Sequence, residues 1–274
     1  MEHKVRRRWV SLTLKCAFSV LFILIQKGSI DQGARQVATP EIASYSTALG
    51  EHKSIAMEDG SELVLNTSSL AGVEITKGSR SVAIHHGEAL LNVAADPRKL
   101  VVHLATIDLE TGAPARAHLR LDPDGTTRVD MLEGEGWVRP AGAAAQSATV
   151  LGRFQPIHVK AGSSFSLHYD VRIVEQLDAS EVSRRLAWTQ GRVILAGESL
   201  RDAVAEFNRY NRRQLIIGDE SVANLPTGGT FDATEIDTFV RSLHQLFHVR
   251  AMRMRSGDTA ADVVMLVGTG YSGL

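Results

Sequence analysis

Residues 59–93 read DGSELVLNTSSLAGVEITKGSRSVAIHHGEALLNV, and the way this stretch breaks into short runs decides the fold. Glu62-Leu63-Val64-Leu65-Asn66 follows the turn Glu58-Asp59-Gly60. Val73-Glu74-Ile75 stops at Lys77-Gly78, and Val82-Ala83-Ile84-His85 stops at Gly87. Ala89-Leu90-Leu91-Asn92-Val93 then runs out near Asp96-Pro97. Successive side chains on a strand point to opposite faces, so short alternating runs cut by glycine and proline read as strands joined by turns. The pattern continues downstream. His118-Leu119-Arg120-Leu121 enters Asp122-Pro123-Asp124-Gly125, and Thr127-Arg128-Val129-Asp130-Met131-Leu132 closes at Glu133-Gly134. Gly136-Trp137-Val138 follows and, after a small-residue insert, so does Ile157-His158-Val159. Turn signals about every 8–12 residues predict a β-rich module over 45–177, built as an antiparallel roll, sandwich or solenoid.

The period changes in the last third. Arg192-Val193-Ile194-Leu195-Ala196 reads as a strand broken by Gly197. Ser199 is placed to cap a helix with Leu200, Ala203, Val204 and Phe207 on one face, the spacing of an amphipathic helix. Leu215-Ile216-Ile217 gives the next strand. Pro226, Gly228 and Gly229 read as a turn before a short strand at Thr230-Phe231. Ile236, Phe239, Val240, Leu243 and Phe247 repeat the helical stripe, and Asp262 to Val267 closes as a strand. This predicts a small mixed α/β module with β-α-β repeats over 191–268, joined to the first by a connector at 178–190.

At the other end, Lys4, Arg6, Arg7 and Arg8 precede an apolar run from Trp9 to Ile25 interrupted only by Lys15. Basic residues before an apolar core match either an uncleaved anchor helix or a cleaved export signal. In both readings residues 1–8 stay in the cytoplasm, 26–44 form a linker, and the bulk of the chain is exported. The expected location is the bacterial inner membrane, single pass, with the bulk in the periplasm.

Composition narrows the function classes. Thirty-one acidic residues against 30 basic ones leave no overall field to recruit nucleic acid. A single cysteine, Cys16, excludes an internal disulfide and a cysteine-based zinc cluster. No serine occupies a G-x-S-x-G elbow, and no phosphate-cradling glycine loop is present. His244 and His248 lie four apart on the second tail helix, but two ligands leave a tetrahedral metal half-bound. The sequence therefore predicts a binding protein with no cofactor and no catalytic residues.

Two sets of runs carry a resemblance. Asp59-Gly60-Ser61-Glu62-Leu63-Val64-Leu65-Asn66-Thr67, Arg80-Ser81-Val82, Gly87-Glu88-Ala89-Leu90-Leu91-Asn92-Val93 and Asp96-Pro97 form the first. Trp188-Thr189-Gln190-Gly191, then Ser199 to Asn211 and Gly229-Thr230-Phe231, form the second. In this order they resemble the FecR family of inner-membrane regulators of iron uptake, with a tail similar to the short N-terminal module of secretins and TonB-dependent receptors. The resemblance implies a signal transducer that binds the signalling domain of a TonB-dependent outer-membrane receptor and acts on an extracytoplasmic-function sigma factor pathway. The chain departs from the family in two places. Only eight residues precede the apolar run, so no anti-sigma domain is expected there and sigma-factor control becomes indirect. Ala105 to Gly112 also differs from the family's usual strand. A structural or self-associating envelope module is the alternative.

The candidate partner-binding residues are Arg209, Tyr210, Arg212, Arg213 and Trp188. Cations at a helix end offset its dipole, which accounts for one arginine better than three. Arginine and tyrosine are also enriched at binding hot spots. Trp188 either packs between the modules or anchors an interface.

Overall fold

The computed structural model describes residues 42–142, 155–169, 171–255 and 262–270. The basic tail, the apolar run 9–25 and most of the expected linker lie outside these residues, so the expected anchor helix does too. No helix among the described residues is long and apolar enough to cross a membrane.

The first strand begins at Ala43, two residues ahead of the expected boundary. Thirteen strands form one curled sheet: β1 (Ala43–Ser46), β2 (Lys53–Ala56), β3 (Glu62–Leu65), β4 (Leu70–Ile75), β5 (Arg80–Val93), β6 (Leu100–Leu104), β7 (Ile107–Thr111), β8 (Ala115–Leu121), β9 (Thr127–Glu133), β10 (Glu135–Pro140), β11 (Ile157–Lys160), β12 (Ser163–His168) and β13 (Val171–Gln176). The long strand β5 makes the curl. Its first half pairs with β4 and β6, and its second half with β3 and β8. The switch falls at Gly87, where φ is +91° and a Cβ would stand 2.2 Å from the Ser69 hydroxyl oxygen. Only glycine fits that close approach. Every contact within the sheet is antiparallel except β5 with β6. Leu63, Leu65, Val82, Ile84, Ala89, Leu91, Leu100, Leu119, Val129 and Phe165 fill the concave side and are almost wholly buried.

After β13 the chain enters a short helix, α1 (Ala179–Arg185), capped reciprocally by Asp178 and Glu181. A 3₁₀ turn over Ala187–Gln190 ends at Gly191. The tail then runs β14 (Arg192–Ser199), α2 (Leu200–Asn208), β15 (Gln214–Ile217), β16 (Pro226–Asp232), α3 (Ile236–Phe247), β17 (Arg250–Arg255) and β18 (Asp262–Val267). Ser199 caps α2 through the Asp202 amide. Strands β14 and β16 pair antiparallel. Strand β18 lies between β15, parallel to it, and β17, antiparallel to it. Phe207 stacks on Phe239 with centroids 4.4 Å apart, and Phe231 meets both edge-on.

Three sequence expectations change here, the first being that the run from Val82 does not stop at Gly87, since β5 continues through it to Val93. Gly197 does not break its strand. It sits at a bulge, φ +111°, and β14 continues to Ser199. Pro226, Gly228 and Gly229 are likewise not a turn: they lie within β16, opposite Ser199, Ala196 and Leu195.

Candidate functional site

Alternation along the curled sheet puts one residue of each pair inward and its neighbour outward. On β3, β5, β8 and β9 the outward residues are not solvated, because the tail covers them. Register lines up a row of outward positions across the sheet: Ser54, Val64, Leu90, His118, Asp130, Ser164 and Glu175. Leu90 belongs to the same apolar cluster as Trp188, Val193, Leu200, Phe207 and Tyr210, with Val64 and Leu132 packed beside it. The tail is seated on this face.

The charged members of the face form one connected cluster. His118 is 1% exposed, Glu88 2% and Asp130 0%. The His118 Nδ1 lies 2.7 Å from Asp130 Oδ2, and its Nε2 lies 2.7 Å from Glu88 Oε1. Both ring nitrogens face carboxylates, so both must donate, and that requires the imidazolium. Burial pulls the His118 pKa down, but its bonds to Asp130 and Glu88 and their charges outweigh it and leave it raised. Burial pushes Glu88 up, yet the charges of Arg209, His118 and Arg120 hold it well below the ordinary carboxylate range. Asp130 follows the same logic: burial raises it, and His118, Arg185 and Ser164 bring it down further.

The tail supplies the opposing groups. Arg209 donates to Glu88 Oε2 at 2.7 Å and to Glu206 Oε1 at 2.8 Å. Asn66 donates to Glu88 at 2.6 Å and to the Tyr210 hydroxyl at 2.9 Å. Thr67 donates to the Arg209 carbonyl. Arg120 of the sheet reaches Glu206 of α2 at 3.0 Å. From α1, Arg185 donates to Asp130, Ser164 and Glu175, three successive members of the outward row. Ion pairs thus run in both directions, Glu88 taking a cation from the tail, Asp130 one from α1, and Arg120 giving one to the tail. Above the cluster lies a cleft of about 640 Å³, whose walls include His118, Arg120, Arg128, Trp188, Glu206 and Tyr210.

Such a cluster is built to hold and not to react. A histidine clamped at both nitrogens has none free to accept a proton. Carboxylates held far below neutral by cations are poor general bases. Burying many charges adds little net stability, but removing one member is costly because it leaves its partner buried and uncompensated.

Of the candidate partner-binding residues, Trp188 packs between the modules, the first of its two readings, while Arg209 and Tyr210 turn toward the sheet. Trp188 is 3% exposed and packs against His52 and His118. Tyr210 is 4% exposed, and its hydroxyl is pushed up by burial and by the charges of Glu206 and Glu88. The physical reason is that α2 ends over the sheet, so its C-terminal cation meets Glu88 before solvent. Arg213 bridges Asp237 and Asp262 at 2.7 Å each. Arg212 is exposed. Glu88, His118, Asp130, Asn66, Arg120, Arg185 and Glu206 were missed as site residues. The available signal was that Asn66, Glu88 and Glu206 all sit in the runs that carried the resemblance.

Comparison with known proteins agrees with this fold. Residues 43–135 match the family model described as FecR protein. This chain carries a FecR domain. Two crystal structures of a candidate anti-sigma factor from Parabacteroides distasonis share the fold. One has a TM-score of 0.66 at 17% identity over 83% of this chain and 100% of the other. The second has a TM-score of 0.65 at 17% identity over 84% and 100%. Comparison with curated proteins finds no match. The FecR domain supplies Asn66, Glu88, His118, Arg120 and Asp130 to the joint, and the likeness to the solved structures extends over the tail that caps them.

Proposed function

We propose that this chain is a FecR-type signal transducer of the bacterial envelope. Residues 9–25 hold it in the inner membrane with the bulk in the periplasm. Its tail binds the signalling domain of a TonB-dependent outer-membrane receptor. The outcome is control of an extracytoplasmic-function sigma factor pathway. The observation that carries this reading is the buried ion cluster between the FecR domain and the tail. It makes a receptor-facing module and the sheet behind it move as one piece, which relay between two partners requires. The FecR domain itself supports a regulatory, non-catalytic role.

The test is capture of partners by the full chain from an envelope extract of the native cell, with mass spectrometry of what is retained. Recovery of an outer-membrane receptor with an N-terminal extension, weakened by the exposed change Arg212→Glu, is the expected result. Recovery of the chain's own copies alone favours the structural reading. That reading has one observation in its favour: edge strand β13 exposes Val171, Ile173 and Val174, each more than half exposed.

A further inference from the structure

The three-stranded tail sheet buries one face against the helices through Leu215, Val264 and Leu266. Its other face is partly covered, with Val267 buried beside Gly218, and opens toward β17, where apolar side chains are half-exposed. Register sets Ile216, Met265 and Met252 in one row across the strands, with Gln214, Val263 and Met254 in the next. Ile216 is 40% exposed, and Met252 and Met254 are each 44% exposed. The sheet ends at β17, whose far edge pairs with no described strand. That strand reads Arg-Ala-Met-Arg-Met-Arg, with no acidic residue.

We propose that the β17 edge accepts an acidic, extended segment of a partner protein as a fourth strand. The inference rests on reading the tail as the receptor-facing module, and it names the surface that module uses. Three features fix the occupant. An open edge offers unpaired backbone groups, so the ligand must be extended. Met252 and Met254 lie on the outer face. Apolar residues opposite them continue the row begun by Ile216 and Met265, and polarizable methionines adapt to varied shapes. Arg253 is exposed and points to the opposite side, where an acidic residue opposite it gains a cross-strand ion pair. The segment therefore alternates apolar and acidic residues. Arg253 also disfavours a second copy of this chain, because antiparallel pairing of two β17 strands centred on it sets one Arg253 against the other. Edge β13 lacks this selectivity, since it carries Arg172 and Glu175 together.

The test uses the full chain and labelled eight-residue peptides. One alternates valine and glutamate, a second alternates valine and lysine, and a third blocks the four valines and four glutamates apart. The alternating glutamate peptide is expected to bind about tenfold or more tighter than the other two, as opposite charge and register both favour it. Arg253→Glu should invert the preference between glutamate and lysine peptides. Met252→Ser with Met254→Ser should weaken both. Hydrogen exchange should show new protection over residues 250–255 in the glutamate complex. Equal affinity for the three peptides overturns the proposal. So does indifference to Arg253→Glu, or binding of anionic vesicles through Arg253 with none of the peptide. Titrating a receptor signalling domain into the wild-type and Arg253→Glu chains separates the two levels. Equal binding to both chains leaves the functional reading standing and discards the edge. Peptide binding without receptor binding keeps the edge and discards the receptor.

Discussion

His118 carries the charge balance of the joint between sheet and tail. Replacing it with alanine leaves Glu88 and Asp130 facing each other across a buried space without their shared cation. Breaking a buried pair in this way costs about 3–5 kcal/mol, which urea denaturation will show as a lower midpoint. The pH dependence follows from the direction of each shift. The raised histidine contributes stability that is fully present below its ordinary value of 6.5 and is lost as pH rises through the raised value. The depressed carboxylates contribute above their ordinary values, 4.5 for Glu88 and 3.8 for Asp130, and lose it as pH falls through the lowered ones. The joint is therefore firmest between these limits. In a series of urea midpoints against pH, His118→Asn should flatten the alkaline limb. An unchanged alkaline limb would mean that the imidazole is neutral in the folded chain. Little of this was legible in the residues. His118 alternates with Leu119 and Leu121 as an outward strand residue does, and outward normally means solvated. Only the tail, arriving about eighty residues later, buries it.

At the scale of the element, alternation and helical stripes found most of the strands and both long helices of the tail, because burial on one face imposes those periods. They failed where glycine serves inside a strand. Gly197, Gly228 and Gly229 read as punctuation, yet β14 and β16 run through them, one by a bulge and the other as its antiparallel partner. No residues were assigned to β17, because Arg-Ala-Met-Arg-Met-Arg lacks the apolar alternation of a half-buried strand. Two substitutions check the elements themselves. Phe207→Ala removes the centre of the stacked trio with Phe231 and Phe239 and should cost about 3–5 kcal/mol. Gly87→Ala meets both a left-handed backbone angle and the Ser69 side chain, so a loss of more than about 1 kcal/mol is expected. Circular dichroism with urea titration reads both. A Gly87→Ala chain as stable as wild type would mean that β5 does not pass from one part of the sheet to the other in this way.

Across the whole molecule, the runs that carried the family resemblance meet at one place. Asn66 and Glu88 come from the first set, and Glu206, Arg209 and Tyr210 from the second. Sequence alone read the arginine–tyrosine pair as a docking surface because residue type shows what binds, not which partner is nearest. The nearest partner is the chain's own FecR domain. Glu88→Gln and Arg209→Gln should therefore couple in a double-mutant cycle by about 0.5–3 kcal/mol, as groups in one hydrogen-bonded cluster do. Additive losses would mean that the two modules fold and hold independently.

The proposed relay from tail to sheet is tested most directly by hydrogen–deuterium exchange of the full chain, with and without the signalling domain of a receptor recovered in the capture experiment. Slowed exchange in the tail together with changed exchange across the joint, in β5 around Glu88 and β8 around His118, is the expected result. Protection confined to the tail would contradict it, and so would failure of the domain to bind.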